Sequence, residues 1–194
     1  MPKAALSREI VVRAAYDVAA KVGFDRFTVA DVARHLGVSV PNIYKHASGL
    51  DGLRRSIAIA ATRELTSAAT HAAVGKSGSE AFLAMAAAYR TFAIEHSGIY
   101  PATQVVPAAD DSEHLQVAES AVAMLAAVLR GYGLSDDRQI DAVRTVRSLL
   151  HGYVALEIAG GFEMPQDVDE SFRYAVRLLD KGLSASSQKR RRAG

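Results

Sequence analysis

The sequence predicts an all-α fold of about nine helices, in which three short N-terminal helices precede a longer helical region. Three observations carry this. Alanine is abundant and apolar residues recur at helical spacing. Glycine and proline fall mostly at segment boundaries. No stretch alternates as a half-buried strand would. With 194 residues and 49 % apolar content, the chain can bury a substantial core, or one small and one larger core.

Taken in order, Ser7 caps a first helix over 8–22, whose stripe of Val11, Ala14, Ala15, Val18, Ala19 and Val22 faces inward and which Gly23 stops. Phe24 and Phe27 flank the next loop and pack beneath the helical hairpin after it. Thr28 is the second N-cap, and Asp31 three residues on completes a capping box. Val29, Val32, Ala33 and Leu36 share one face of this helix, and Gly37 stands where an exiting chain needs a left-handed residue. Val38 plugs the corner. Ser39 caps a third helix over 40–47 with Pro41 in its first turn. Because Pro41 has no N–H, the Ser39 hydroxyl is expected to accept from the N–H of Asn42. Ile43 and Ala47 point inward, and Gly49 ends the helix. Further helices are predicted over 51–74, 80–96, 113–131, 136–159 and 167–183, separated by glycine- and proline-bearing breaks. The expected domains are 1–50, 51–187 and a disordered basic tail, 188–194, containing QKRRR.

Residues 28–50 therefore form two short helices joined by a tight glycine turn. Such a hairpin, with a polar outer face on its second helix, is a helix-turn-helix, whose usual work is to set that helix in the major groove of DNA. Val40, Pro41, Asn42, Lys45 and His46 lie outward, with Tyr44 at the edge. Asn42 suits bidentate pairing with adenine, Lys45 suits guanine O6/N7, and Val40 and Pro41 suit thymine methyl groups. Thr28, Ser39, the Tyr44 hydroxyl, Lys45 and His46 are the expected phosphate contacts. The competing reading is a structural αα-hairpin, with Tyr44 and His46 packed inside it.

Charge is unevenly spread. Residues 1–56 carry nine Lys/Arg and five acids, residues 57–187 ten Lys/Arg and sixteen acids, and the last seven residues four basic side chains. Positive charge thus accompanies the hairpin, where phosphates would be met. Cysteine is absent, which excludes disulfides and thiolate metal sites. No apolar run reaches the roughly 18–20 residues of a bilayer span. The N-terminus MPKAALSRE lacks the apolar core of a secretory signal, so no membrane partner is expected and the cytoplasm is the expected location. The six histidines form no H-x-x-x-H or HExxH pair. No G-x-S-x-G, P-loop or dinucleotide fingerprint occurs, and no catalytic residue, metal or cofactor is assigned.

The phrase T-V-x-x-V-A-x-x-L-G-V-S-x-x-x-I-Y-x-H (Thr28–His46) resembles the DNA-binding signature of the TetR family of transcriptional regulators, and the resemblance is strong over residues 8 to about 56. The stretch LLHGYVALEIAGGFEMP is similar to a C-terminal domain of one branch noted for a Trp-His-Gly triplet, with Leu150 in place of the Trp before His151 and Gly152. The resemblance implies that Tyr44 and His46 serve the DNA backbone, and that Leu50 replaces a frequent phosphate-gripping lysine, whose contact would be lost or pass to Arg54 or Arg55. It implies a homodimer packed through the last two long helices, about 136–159 and 167–183. It implies a repressor released from a palindromic operator when an unknown small molecule enters the C-terminal domain. The expected effector residues are Phe82, Met85, Tyr89, Tyr100, Gln104, Met124, His151 and Tyr153. Two other functions compete: a DNA-binding protein without sequence preference, and a helical small-molecule-binding module or enzyme whose hairpin is structural.

Overall fold

The computed structural model describes residues 6–193, with side chains described through Ser186. Among the described residues there are eight α-helices, one 3-10 turn and no strand. The helices are α1 (Arg8–Val22), α2 (Val29–Leu36), α3 (Val40–Tyr44), α4 (Gly49–Ala73), α5 (Gly78–Glu95), α6 (Ser112–Arg130), α7 (Asp136–Ile158) and α8 (Val168–Ala193), and the 3-10 turn spans Tyr100–Gln104. The limits predicted for α1, α2 and α4–α7 hold to within about two residues, the usual scatter at helix ends.

Several local expectations need correction. The third helix ends at Tyr44 rather than 47, because the N–H groups of His46 and Ala47 both donate to the Ile43 carbonyl (2.9 and 3.0 Å) and close the chain into a turn. Gly49, at φ +68°, does not end that helix but is the first residue of α4. The last helix continues to Ala193, past the expected end at 183. Nothing after Gly182 breaks a helix, and Ala, Lys and Arg favour one. The remaining expected tail residue, Gly194, lies outside the described residues. Val22, assigned to the buried stripe of α1, is 39 % exposed in the helix's last turn.

The chain divides into two compact units, one made of residues up to Glu64 with His96–Ala118, the other of Leu65–Glu95 and the residues from Glu119 onward. The first unit is thus larger than the expected 1–50 domain and discontinuous in sequence. Packing explains it. Ile57, Ala58, Ala61, Ile99 and Ala102 are fully buried in the same core as Val11, Phe27, Val32 and Ile43. The segment after α5 is fastened to the end of α1, where the Phe24 N–H donates to the Gly98 carbonyl at 2.8 Å. The approach is close enough that a Cβ on Gly98 would fall 2.1 Å from the Ala20 carbonyl oxygen. The Tyr16 hydroxyl donates to Glu64, and burial and that carboxylate push the phenol pKa up.

The second unit packs α5, α7 and α8 around Phe82, Met85, Leu129, Val146, Leu150, Phe172 and Val176. Arg90 of α5 bridges the other two helices. Its guanidinium meets Glu157 of α7 at 2.7 and 2.6 Å and Asp169 of α8 at 2.6 Å, and lies 5.2 Å from the centre of the Phe172 ring. Ser79 and Tyr132 both donate to Asp180 Oδ1, at 2.6 and 2.5 Å.

Candidate nucleic-acid interface

The hairpin is built as its capping chemistry requires. Thr28 Oγ1 accepts from the Asp31 N–H at 3.2 Å and Asp31 Oδ2 accepts from the Thr28 N–H at 3.0 Å, so the box closes in both directions. Arg34 pairs with Asp31 at 2.7 Å, and these bonds hold the Asp31 carboxyl below its ordinary pKa, the Thr28 side chain contributing most. Gly37 is left-handed (φ 64°, ψ 38°) and turns its N–H back to Ala33 and Arg34. Val38 packs against the core, as expected of a corner plug.

Helix α3 starts on a different cap from the one expected. The Ser39 hydroxyl makes no capping bond; the Asn42 N–H donates instead to the Ser39 backbone carbonyl at 2.9 Å. The carbonyl three residues back already meets that donor in a tight first turn. Ile43 is fully buried and anchors the helix to the first unit's core. Its neighbours face the other way. Thr28, Ser39, Pro41, Tyr44 and Lys45 are exposed, Tyr44 by 58 %, while Asn42 and His46 are half-buried. Val40, expected on the outer face, is half-buried with its side chain packed on the core, because the short helix turns that position inward.

The basic residues behind α3 have different fates. Leu50 is half-buried and packs on the core. Arg54 donates to the Asp25 carbonyl at 3.2 Å. Arg55, one of the two expected stand-ins for a lysine at Leu50, is held by carboxylates: Asp111 takes both Nε and Nη2, and Glu113 accepts from Nη2 at 3.0 Å. The Asp111 carboxyl is lowered to about 2, chiefly by Arg55, and also caps α6 through the His114 N–H at 3.1 Å. His114 is buried, and that burial lowers its pKa.

A cavity of about 520 Å³ opens in this unit, lined by Arg8 and Val12 of α1, by Tyr44–Ser48, and by Gly52, Arg55 and Ser56 of α4. The sequence singles out Tyr44, Lys45 and His46 but misses Arg8, Ser48 and Ser56. No periodic pattern announces that the start of α1 lies beside the α3–α4 turn.

The expected effector residues are divided between the two units. Tyr100 and Gln104 belong to the first unit, the others to the second. Tyr100 is buried because the 3-10 turn carries it into the packed segment beside Ile99. Phe82 and Met85 are fully buried in the second core, since α5 turns that stripe toward α6–α8. The Tyr153 ring packs on Phe162 and Phe172 (4.8 and 5.1 Å between centres), and its hydroxyl donates to the Val168 carbonyl at 3.1 Å. His151 is half-buried, and desolvation lowers its pKa. Tyr89 is half-buried against the core. Met124 lines a second cavity, of about 390 Å³, with Ala73, Lys76, Ala81, Val128 and Gly131. Among the described residues no group of three or more His, Asp or Glu side chains is placed to hold a metal ion.

An all-α chain with an outward-facing second hairpin helix on a capped first one defines a helix-turn-helix DNA-binding protein. Residues 11–57 match the family model for "Bacterial regulatory proteins, tetR family", and residues 82–179 that for "Tetracyclin repressor-like, C-terminal domain". An uncharacterized HTH-type transcriptional regulator of Mycobacterium tuberculosis is 34 % identical over 181 residues, covering 93 % of this chain and 83 % of that protein. A second such regulator, from Bacillus subtilis, is 30 % identical over 94 % of this chain and 95 % of its own. A variant of TetR from Acinetobacter baumannii, solved in complex with minocycline, shares the fold with a TM-score of 0.65 at 21 % identity, covering 94 % of this chain and 98 % of that one. The chain belongs to the TetR family, and its function is DNA-binding transcriptional regulation.

Proposed function

We propose that the protein is a repressor that occupies a palindromic operator as a homodimer and leaves it when a small molecule binds the second unit. The observation that carries this is the division of α3, with Ile43 fully buried and Tyr44 and Lys45 turned to solvent on the next two positions. In this reading Asn42 and Pro41 meet base edges, while Thr28, Ser39, Tyr44, Lys45 and His46 meet phosphates. Val40 supports the helix from beneath.

A recognition helix of five residues reads few base pairs, so two-fold pairing is needed for a selective site. The outer faces of α7 and α8 support the place of that pairing. Leu156, Tyr174 and Leu178 are exposed by 53, 71 and 60 %, and a Cβ on Gly152 or Gly182 would meet nothing within 4 Å. Exposed apolar side chains beside open backbone suit a twin surface that fills the space.

In this reading the effector binds beside Met124, and a 390 Å³ cavity in the second unit supports that choice. Phe82, Met85, Tyr89, His151 and Tyr153 form the packing that a ligand would rearrange. The minocycline complex of the Acinetobacter baumannii TetR variant supports a small organic effector. To release DNA about 100-fold, the ligand must favour the DNA-incompetent state by about 2.7 kcal/mol. The protein works without enzymatic activity, and in the cytoplasm, where chromosomal DNA is met. No described helix is long and apolar enough to cross a membrane.

The test is selection of a bound duplex from a random-sequence pool, followed by titration of that duplex and a shuffled one. Selection of an inverted repeat, bound at least about 10³-fold more tightly than the shuffled duplex, supports the proposal. Equal binding would leave a sequence-nonspecific protein, and no binding at low salt would leave a helical ligand-binding module or enzyme.

A further inference from the structure

We infer that the 520 Å³ cavity of the first unit is a phosphodiester subsite, in which Arg8 of α1 and Lys45 close on one backbone phosphate of bound DNA. The inference deepens the proposed DNA contact and rests on it. The cavity lining holds Arg8, Lys45, His46 and Arg55 and no acidic side chain. Arg55 is already neutralised by Asp111 and Glu113. Arg8 and Lys45 are not. Among the described residues neither makes an ion pair, whereas Arg13, Arg34, Arg55 and Arg63 of the same unit each do. Both are exposed and line the cavity.

The remaining wall suits an anion of phosphate size. Ser48 supplies a hydroxyl group, whereas Ser56 spends its only proton on the Gly52 carbonyl at 2.9 Å and offers the anion no donor. Tyr44 and Ala47 give the apolar side on which a deoxyribose can rest. The cavity also opens at the start of the 25-residue α4, whose first-turn N–H groups add positive potential to that of the two cations. The subsite adds to the exposed face of α3 a grip made by an element outside the hairpin. It carries no base information but fixes the angle at which α3 enters the groove.

The experiment uses the full-length protein and the duplex selected from the random pool. Arg8→Ala should weaken binding several-fold and reduce the slope of log affinity against log salt by about 1, the signature of one lost phosphate contact. Arg13→Ala, on the same helix and already paired with Asp17, should change neither. Replacing one linkage at a time by neutral methylphosphonate should reveal a phosphate whose removal weakens the wild type and leaves Arg8→Ala unaffected. Unchanged affinity and slope in Arg8→Ala, or methylphosphonate effects that add at every linkage, would overturn the inference. Tight binding of inorganic phosphate without DNA, abolished in Arg8→Ala, would reassign the cavity to a free anion and overturn it too. If the wild type selects no duplex, the proposed function itself fails, an outcome distinct from these.

Discussion

At the scale of single residues, three neighbours in and beside α3 separate stability from recognition. Ile43 is fully buried, so Ile43→Ala should lower unfolding free energy by about 2–4 kcal/mol, measured by urea titration, and lose DNA binding with it. Tyr44→Phe and Lys45→Ala remove groups that face solvent. They should weaken DNA binding, read by anisotropy, and leave the unfolding free energy within about 0.5 kcal/mol of wild type. Unchanged affinity in both would place the reading face elsewhere. Most of this is legible in the sequence, because capping residues, a glycine turn and one buried position per turn are local signals. The Ser39 cap is not, because a donor can be taken by backbone or hydroxyl, and residue type does not decide which. Arg55 escapes for the opposite reason: its partners Asp111 and Glu113 lie more than fifty positions away along the chain.

At the scale of elements, ion pairs fasten helices that hydrophobic periodicity alone leaves free to slide. The Asp111 carboxyl, with an ordinary value of 3.8, is lowered to about 2, chiefly by Arg55. A depressed carboxyl means that the unfolded chain binds the proton more readily. The stability is therefore present above about pH 4 and is lost as pH falls through about 2. Asp111→Asn should flatten the acid limb of a stability profile between those values, followed by circular dichroism. In the second unit, Arg90→Met should leave Glu157, a carboxylate only 17 % exposed, without its charge partner. A loss on the order of 2–3 kcal/mol is expected, with partial recovery in the double substitution Arg90→Met with Glu157→Gln. A thermal melt in which the double variant is as unstable as the single one would mean the pair is not the cause. Helix positions are readable from apolar spacing and breakers. These bridges are not, since charged residues on helix surfaces carry no mark of which will meet.

At the scale of the whole molecule, α7 and α8 leave Leu156, Tyr174 and Leu178 exposed, the surface proposed for pairing. Leu178→Glu should convert the protein to a monomer in sedimentation, with helix content unchanged and selective DNA binding lost. A variant that stays dimeric would move the interface off these helices. The apolar pattern of both helices is visible in the sequence, but a buried stripe and a pairing stripe look alike there. The make-up of the first unit is not visible at all. Its helix-turn-helix reads as a self-contained N-terminal block of 50 residues, yet its core is completed by Ile99 and Ala102, and Gly98 is pressed against Ala20. For anyone building hybrid regulators, this means that the reading head is not a contiguous cassette. A swap cut after residue 50 or 64 would join one protein's α1 to another's 96–118 segment, and any side chain at position 98 would strike the Ala20 carbonyl. Hybrids should therefore exchange 96–118 together with the N-terminal helices.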